Sequence, residues 1–268
     1  MLLVALLLLG ILAATGRIPG IALARLIAEK IVCAVELDEG CDPGLDSAYD
    51  AELASLARAH APEILYERGM LALPVDYRSC REDACSFGPA AGSVWRSLAG
   101  QPATAFVHVI DCRYQALARS ERLGLDCSGT RRGNLYMQYW FYYPGSATGE
   151  GRVLNGAIRR VSTALGRPSY HPDDWESYQV RIREGRVEAR ASSHLSNGAW
   201  GEVGALYVSG GSHAGRNGTG QTAWRVTPSG RLTLVPLEPI AASSRTSFAV
   251  APPWLKRVWR DPESGSTE

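Results

Sequence analysis

Lysine is almost missing: Lys30 and Lys256 are the only two among 268 residues, and arginine carries nearly all the positive charge. Net charge is +1 at pH 7, which excludes the strong basic field that draws a domain to nucleic acid. The arginine bias reads as composition, although a guanidinium fork suits phosphate better than an ammonium does. Catalytic signatures are missing too. The glycine-rich stretch Gly210–Gly220 has no G-K-[ST], which excludes a P-loop. No G-x-S-x-G elbow occurs, which argues against an α/β-hydrolase. No C-x-x-C pair occurs, which argues against zinc held by thiolates. Neither an internal repeat nor a heptad pattern is visible. What is present is an ordinary globular composition, 46% apolar and 21% charged, long enough for one sizeable core.

The N-terminus is the first positive feature. Met1 to Gly16 carry no charge, Arg17 interrupts, and Ile18 to Ala24 are again mostly apolar. A span needs about 20 apolar residues and a signal core about 7–15, so the run falls between the two. Residues 1–36 are therefore expected to form an apolar helix that serves as signal or membrane anchor. Arg17, Arg25 and Lys30 follow the run, which by the positive-inside rule would leave the body cytoplasmic. Cys33, Cys41, Cys80, Cys85, Cys112 and Cys127 argue the other way, because an even count in an export-like chain reads as disulfides. The cysteines weigh more, and the expected location is the cell membrane with an extracytoplasmic domain, or secretion. Pairing of neighbours (33–41, 80–85, 112–127) is the simplest connectivity; others stay open.

Beyond residue 36 the expected divisions are 37–62, 63–251 and 252–268. The first holds a turn-rich linker and a helix over 48–61, with Ser47 as N-cap and Pro62 as stop. The second alternates short apolar runs with turn signals, which predicts a mainly β fold, a β-sandwich with a few peripheral helices. Its strands are expected over 105–111, 134–143, 174–183, 186–193, 204–209, 221–227, 231–236 and 246–250, with a hairpin turn at Glu184-Gly185. A helix is expected over 152–165. The tail is expected to be partly disordered, from Pro262 onward.

Strand alternation singles out one segment. In a strand starting at Asp174, one face carries Asp174, Glu176, Tyr178, Val180 and Ile182. Two carboxylates thus lead a face that continues into apolar residues, and buried carboxylates must be paired or metal-bound. His171 precedes them closely. One histidine and two carboxylates suit a divalent cation, with Ca²⁺ or Mg²⁺ as first choices, and His171, Asp174 and Glu176 as candidate ligands. The competing reading gives the two carboxylates ordinary hydrogen-bond partners in the core. Asp173, His194, His213 and Gln138 are further candidates for ligand contact. Among them His213 lies in a glycine-rich turn that lets backbone approach a ligand closely.

These residues carry a resemblance. His171-Pro-Asp-Asp174-Trp175-Glu176 is similar to the end of the heptapeptide of necrosis- and ethylene-inducing-like proteins. The order of motifs resembles the vacuolar-protein-sorting 62-related family. That order runs from His60-Ala61-Pro62 through Leu73-Pro74-Val75 and Gln138-Tyr139-Trp140-Phe141-Tyr142-Tyr143-Pro144 to Asp174-Trp175-Glu176 and Gly211-Ser212-His213-Ala214. The necrosis-inducing relatives imply a β-sandwich with a divalent cation at one end, ligated here by His171, Asp174 and Glu176, which binds sphingolipid sugar headgroups. Asp173 stands where the heptapeptide has its second histidine, and Pro144-Gly145-Ser146 where those relatives have an aspartate. The leading expectation is a binding module for a sugar or lipid headgroup, anchored to the membrane by its N-terminal helix, rather than an enzyme. The alternatives are a metal-assisted hydrolase at the same site, or a structural envelope or pilus-associated protein.

Overall fold

The computed structural model describes residues 43–67, 73–79, 103–146, 161, 171–193, 196–218, 223–225, 232–237, 248 and 250–266. The apolar N-terminus, Cys33, Cys41, Cys80, Cys85, His194 and nearly all of the expected helix 152–165 lie outside these. No described helix is long and apolar enough to cross a membrane. The chain divides into two compact units, Met1–Asp50 and Ala51–Glu268.

In the first unit, helix α1 spans Pro43–Ala48. This corrects the expected linker: Ser47 is inside a helix and its hydroxyl donates to the Gly44 carbonyl at 3.0 Å, instead of capping the next helix. In the second unit, helix α2 covers Ala51–Ala59 and buries Leu53, Ala54 and Ala57. It is shorter than the sequence pattern suggested.

The second unit is mainly β. Strands β2 (Ala103–Asp111), β3 (Leu135–Ser146), β4 (His171–Arg183) and β5 (Arg186–Ser193) form the antiparallel centre of a larger sheet. Strand β11 (Leu232–Pro236) joins its β2 edge in parallel. Short strands β6 (Ser196–Asn197) and β7 (Gly201–Glu202) pair with β5. A smaller sheet has β1 (Ile64–Glu67), β8 (Leu206–Val208), β9 (Gly215–Asn217) and β10 (Ala223–Arg225) in the order β10-β1-β8-β9. The β4–β5 hairpin turns at Glu184-Gly185, both with positive φ, as expected for a two-residue turn of that handedness.

Strand β3 explains the layering. Its run of Tyr, Trp and Phe has no polar face, so both sides must be covered. On one side Trp140 and Tyr142 meet Phe106, Trp175, Tyr77, Val235, Leu237 and Val258. On the other, the Tyr139 hydroxyl donates to the Ala57 carbonyl of α2 at 2.7 Å. Burying each such aromatic contributes on the order of 1.5–3 kcal/mol.

The C-terminal segment is not the disordered tail expected from its composition. A 3-10 turn at Pro253–Leu255 and helix α4 (Arg257–Arg260) lead into a strap across the Trp140 side of the sheet. Glu263 accepts hydrogen bonds from Tyr136, Arg181 and Trp200 at 2.7–2.8 Å. The buried Arg190 guanidinium donates to the carbonyls of Pro262 and Ser264. It stacks over Trp200 at 4.3 Å. Composition misled here because the anchoring partners lie far away in sequence.

Cys112 and Cys127 form a disulfide, in agreement with neighbour pairing. It closes the loop carrying helix α3 (Leu117–Arg122) between β2 and β3.

Candidate functional site

The β3–β4 register pairs Phe141 with Glu176 and Tyr143 with Asp174. Alternation then puts both carboxylates on the Tyr143 side of the sheet, and both are buried, at 4% and 8% exposure. This is the inward face read from the sequence.

The smaller sheet brings the third group. The turn between β8 and β9 is held by a hydrogen bond from the Gly210 amide to Glu67 of β1, 2.7 Å, and by Ser209 N–H to the Ala214 carbonyl, 3.1 Å. Its last part presents His213, whose φ of 57° is unusual for a residue with a side chain. Glycine at 215 permits this placement: a Cβ there would sit 2.8 Å from the Ser192 carbonyl oxygen and 3.2 Å from the Ala191 Cβ, both on β5. Strand β9 therefore lies closer to β5 than any side chain would allow.

His213 is 1% exposed. Its ring stacks flat on Tyr143, with centroids 3.9 Å apart and planes 3° apart. Its Nδ1 lies 2.9 Å from Asp174 Oδ2. A neutral imidazole that donates Nδ1–H to a carboxylate leaves a lone pair on Nε2. That Nε2 atom is buried and meets no hydrogen-bond partner among the described residues. The hydroxyls of Tyr143 and Tyr66 are in the same condition. Buried polar atoms are nearly always satisfied, so three such atoms around the Asp174–His213 hydrogen bond single this place out as the candidate site. Burial, then the nearby Tyr66, Glu176 and Asp174, push the Tyr143 hydroxyl well above its ordinary pKa, so it stays protonated and can donate.

Glu176 is engaged by the Ser192 hydroxyl, which donates to Oε2 at 2.6 Å. The same hydroxyl accepts from the Ser177 amide at 2.6 Å. Ser192 stands one residue beyond the last β4–β5 pair, Tyr178 with Ala191, which frees it to turn toward Glu176.

The expected ligand set is rearranged. Asp174 orients His213, and Glu176 holds Ser192. The backbone of His171 pairs with Ser146, while its side chain and all of His194 lie outside the described residues. No group of three His, Cys, Asp or Glu side chains among the described residues converges as a metal site. Asp173 is buried with φ of 60° and accepts from the Tyr142 hydroxyl at 2.6 Å. Gln138 faces the opposite side of the sheet from His213. It donates to the Val258 carbonyl at 2.7 Å and accepts from Trp140 Nε1 at 3.0 Å, so it is a core residue and not a ligand contact. Sequence reasoning missed Tyr66, Ser192 and the stacking role of Tyr143. The adjacency of Tyr143 to Asp174 could have been found by registering the two strands.

Comparisons with models of protein families, with curated proteins and with solved structures found no match.

Proposed function

We propose that the chain is an exported β-sandwich binding module that takes a polar surface ligand, a sugar or lipid headgroup, through a divalent cation held by His213 Nε2 with Glu176. The sandwich reading is supported by the close approach of Gly215 of β9 to β5 of the larger sheet, and by Tyr178 of β4 donating at 2.8 Å to the carbonyl of Gly204, in the segment leading into β8. The Cys112–Cys127 disulfide supports an oxidising compartment. The observation that carries the site is the buried, unpartnered Nε2 of a histidine whose other nitrogen is fixed by a carboxylate. Metal-bound histidines are commonly oriented in this way.

The available donors fit a cation in part. An imidazole nitrogen and one carboxylate suit a borderline ion such as Mn²⁺ or Zn²⁺ better than Ca²⁺ or Mg²⁺. Asp174 acts as a positioning group in this reading, not as a ligand. Thermal unfolding tests it. Saturating Mn²⁺ or Zn²⁺ at about 100 times its Kd adds about 2.7 kcal/mol, which raises Tm by roughly 5–10 °C for a chain of this size. The shift disappears in His213→Ala and falls in Glu176→Gln. No shift with any of Mn²⁺, Zn²⁺, Ca²⁺ or Mg²⁺ contradicts the reading.

A second reading has its own support. A histidine with Nδ1 on a carboxylate and Nε2 free is also the arrangement of a general base. Hydrolysis of ester or phosphodiester substrates that is lost in His213→Ala and Asp174→Asn would favour it.

A further inference from the structure

We propose that the end of the larger sheet opposite the His213 site docks the protein onto an anionic lipid surface. The inference is independent of what the His213 site binds. Register places four chain passages at this end. Asp111 closes β2 opposite Leu135, and Leu135 opens β3 opposite Ile182. The Cys112–Cys127 loop and the Glu184-Gly185 turn therefore project from the same edge. Along β4, the steps from Asp174 to Arg183 span about 30 Å at the usual rise per residue.

Arginines gather there although the whole chain is nearly neutral. Arg119 and Arg122 lie on α3, Arg132 on the turn entering β3, and Arg183 and Arg186 flank the β4–β5 turn, and all are exposed. Among the described residues these guanidiniums form no ion pair, in contrast to Arg113, Arg131 and Arg181 beside them. The exposed carboxylates in the same segments are Glu121 and Glu184. Guanidiniums left unpaired in this number create a local positive field that the net charge conceals.

The same end exposes apolar side chains. Tyr114 is 76% exposed and Leu123 is 64% exposed, one on each side of α3. The α3 segment is tied down by the disulfide and by the Ser120 hydroxyl donating to the Asp111 carbonyl at 2.5 Å, so both side chains are held outward on a fixed platform. A soluble polyanion would use the charge alone. A bilayer uses both: phosphates meet the guanidiniums, and an aromatic and a leucine enter the headgroup layer. That combination selects an anionic membrane.

The test uses the full chain in co-sedimentation with vesicles of phosphatidylcholine alone and of phosphatidylcholine with phosphatidylglycerol. The apolar N-terminus, with its Arg17, Arg25 and Lys30, contributes equally to wild type and variants, so the readout is the change that each variant makes in the ratio of the two partition coefficients. Wild type favours the anionic vesicles, and the preference declines with salt. Arg183→Glu with Arg186→Glu lowers that ratio by at least about 30-fold, from about fivefold per arginine lost before the repulsion of the two added carboxylates. Tyr114→Ser with Leu123→Ser weakens binding to anionic vesicles while keeping its salt dependence. Unchanged cooperative unfolding in each variant shows that the fold is intact. An anionic preference left unchanged by the charge reversal overturns the proposal. So does retention on heparin or DNA without preference between the vesicles.

Discussion

Asp174 and His213 carry the most information at the scale of single residues. The sequence placed Asp174 and Glu176 on an inward face because strand alternation is local, and a two-residue period needs no knowledge of the rest of the chain. It could not tell that Asp174 would meet His213, because that contact joins two sheets and depends on a turn with positive φ. The pair makes a definite prediction. Asp174→Asn replaces the carboxylate that fixes Nδ1–H and lowers stability by about 1–3 kcal/mol in chemical denaturation. It also weakens any cation shift, because the imidazole is no longer held with Nε2 free. An Asn variant as stable as wild type would show that the pair is not a strong charged hydrogen bond.

Among elements, the β8–β9 turn is the part most dependent on a single position. Gly215 is where β9 comes within reach of the β5 backbone. Gly215→Ala forces backbone to separate from backbone and costs about 1–3 kcal/mol, measured by denaturant unfolding. The displacement also moves His213, two residues away, so the variant shows a reduced cation response. If Gly215→Ala is neutral in both measurements, the close approach does not position the site. The sequence marked this turn as glycine-rich and capable of approaching a ligand. It did not reveal that one of the glycines was needed for packing against a strand. The hairpin β4–β5 was legible throughout, since its turn residues and its alternation are adjacent in the chain. The C-terminal strap was illegible for the opposite reason: Pro262, Glu263 and Ser264 look like a tail until Arg181, Arg190 and Trp200 are brought beneath them.

Across the whole molecule, that strap sets the response to acid. His108 stacks on Trp259 at 3.5 Å and lies 3.1 Å from the Trp259 carbonyl. Burial depresses its pKa to about 3, against a partial opposing effect of that carbonyl. Folding thus favours the neutral ring. Its contribution is complete above the unfolded value of about 6.5 and is lost progressively as pH falls, at up to about 1.4 kcal/mol per pH unit. Glu263 adds a second, more acidic loss. Burial alone would raise its pKa, but hydrogen bonds from Arg181, Tyr136 and Trp200 outweigh it and hold the carboxyl below its ordinary value. Its contribution is present above the unfolded carboxylate value and is lost as pH falls through the folded one. Stability measured from pH 7 to pH 4 therefore declines, and His108→Gln flattens the upper part of that decline. A wild-type profile flat between pH 6.5 and pH 5 would contradict this account of the strap.

The central claim is that His213 presents a free Nε2, held ready by Asp174, to a bound cation. Long-range ¹H–¹⁵N correlation NMR of the histidine rings tests it most directly. The account predicts a His213 signal with Nδ1 protonated and Nε2 unprotonated, and a large change in the Nε2 shift on titration with Zn²⁺. A proton on Nε2, or an Nε2 signal unmoved by every divalent cation at saturating concentration, would contradict it.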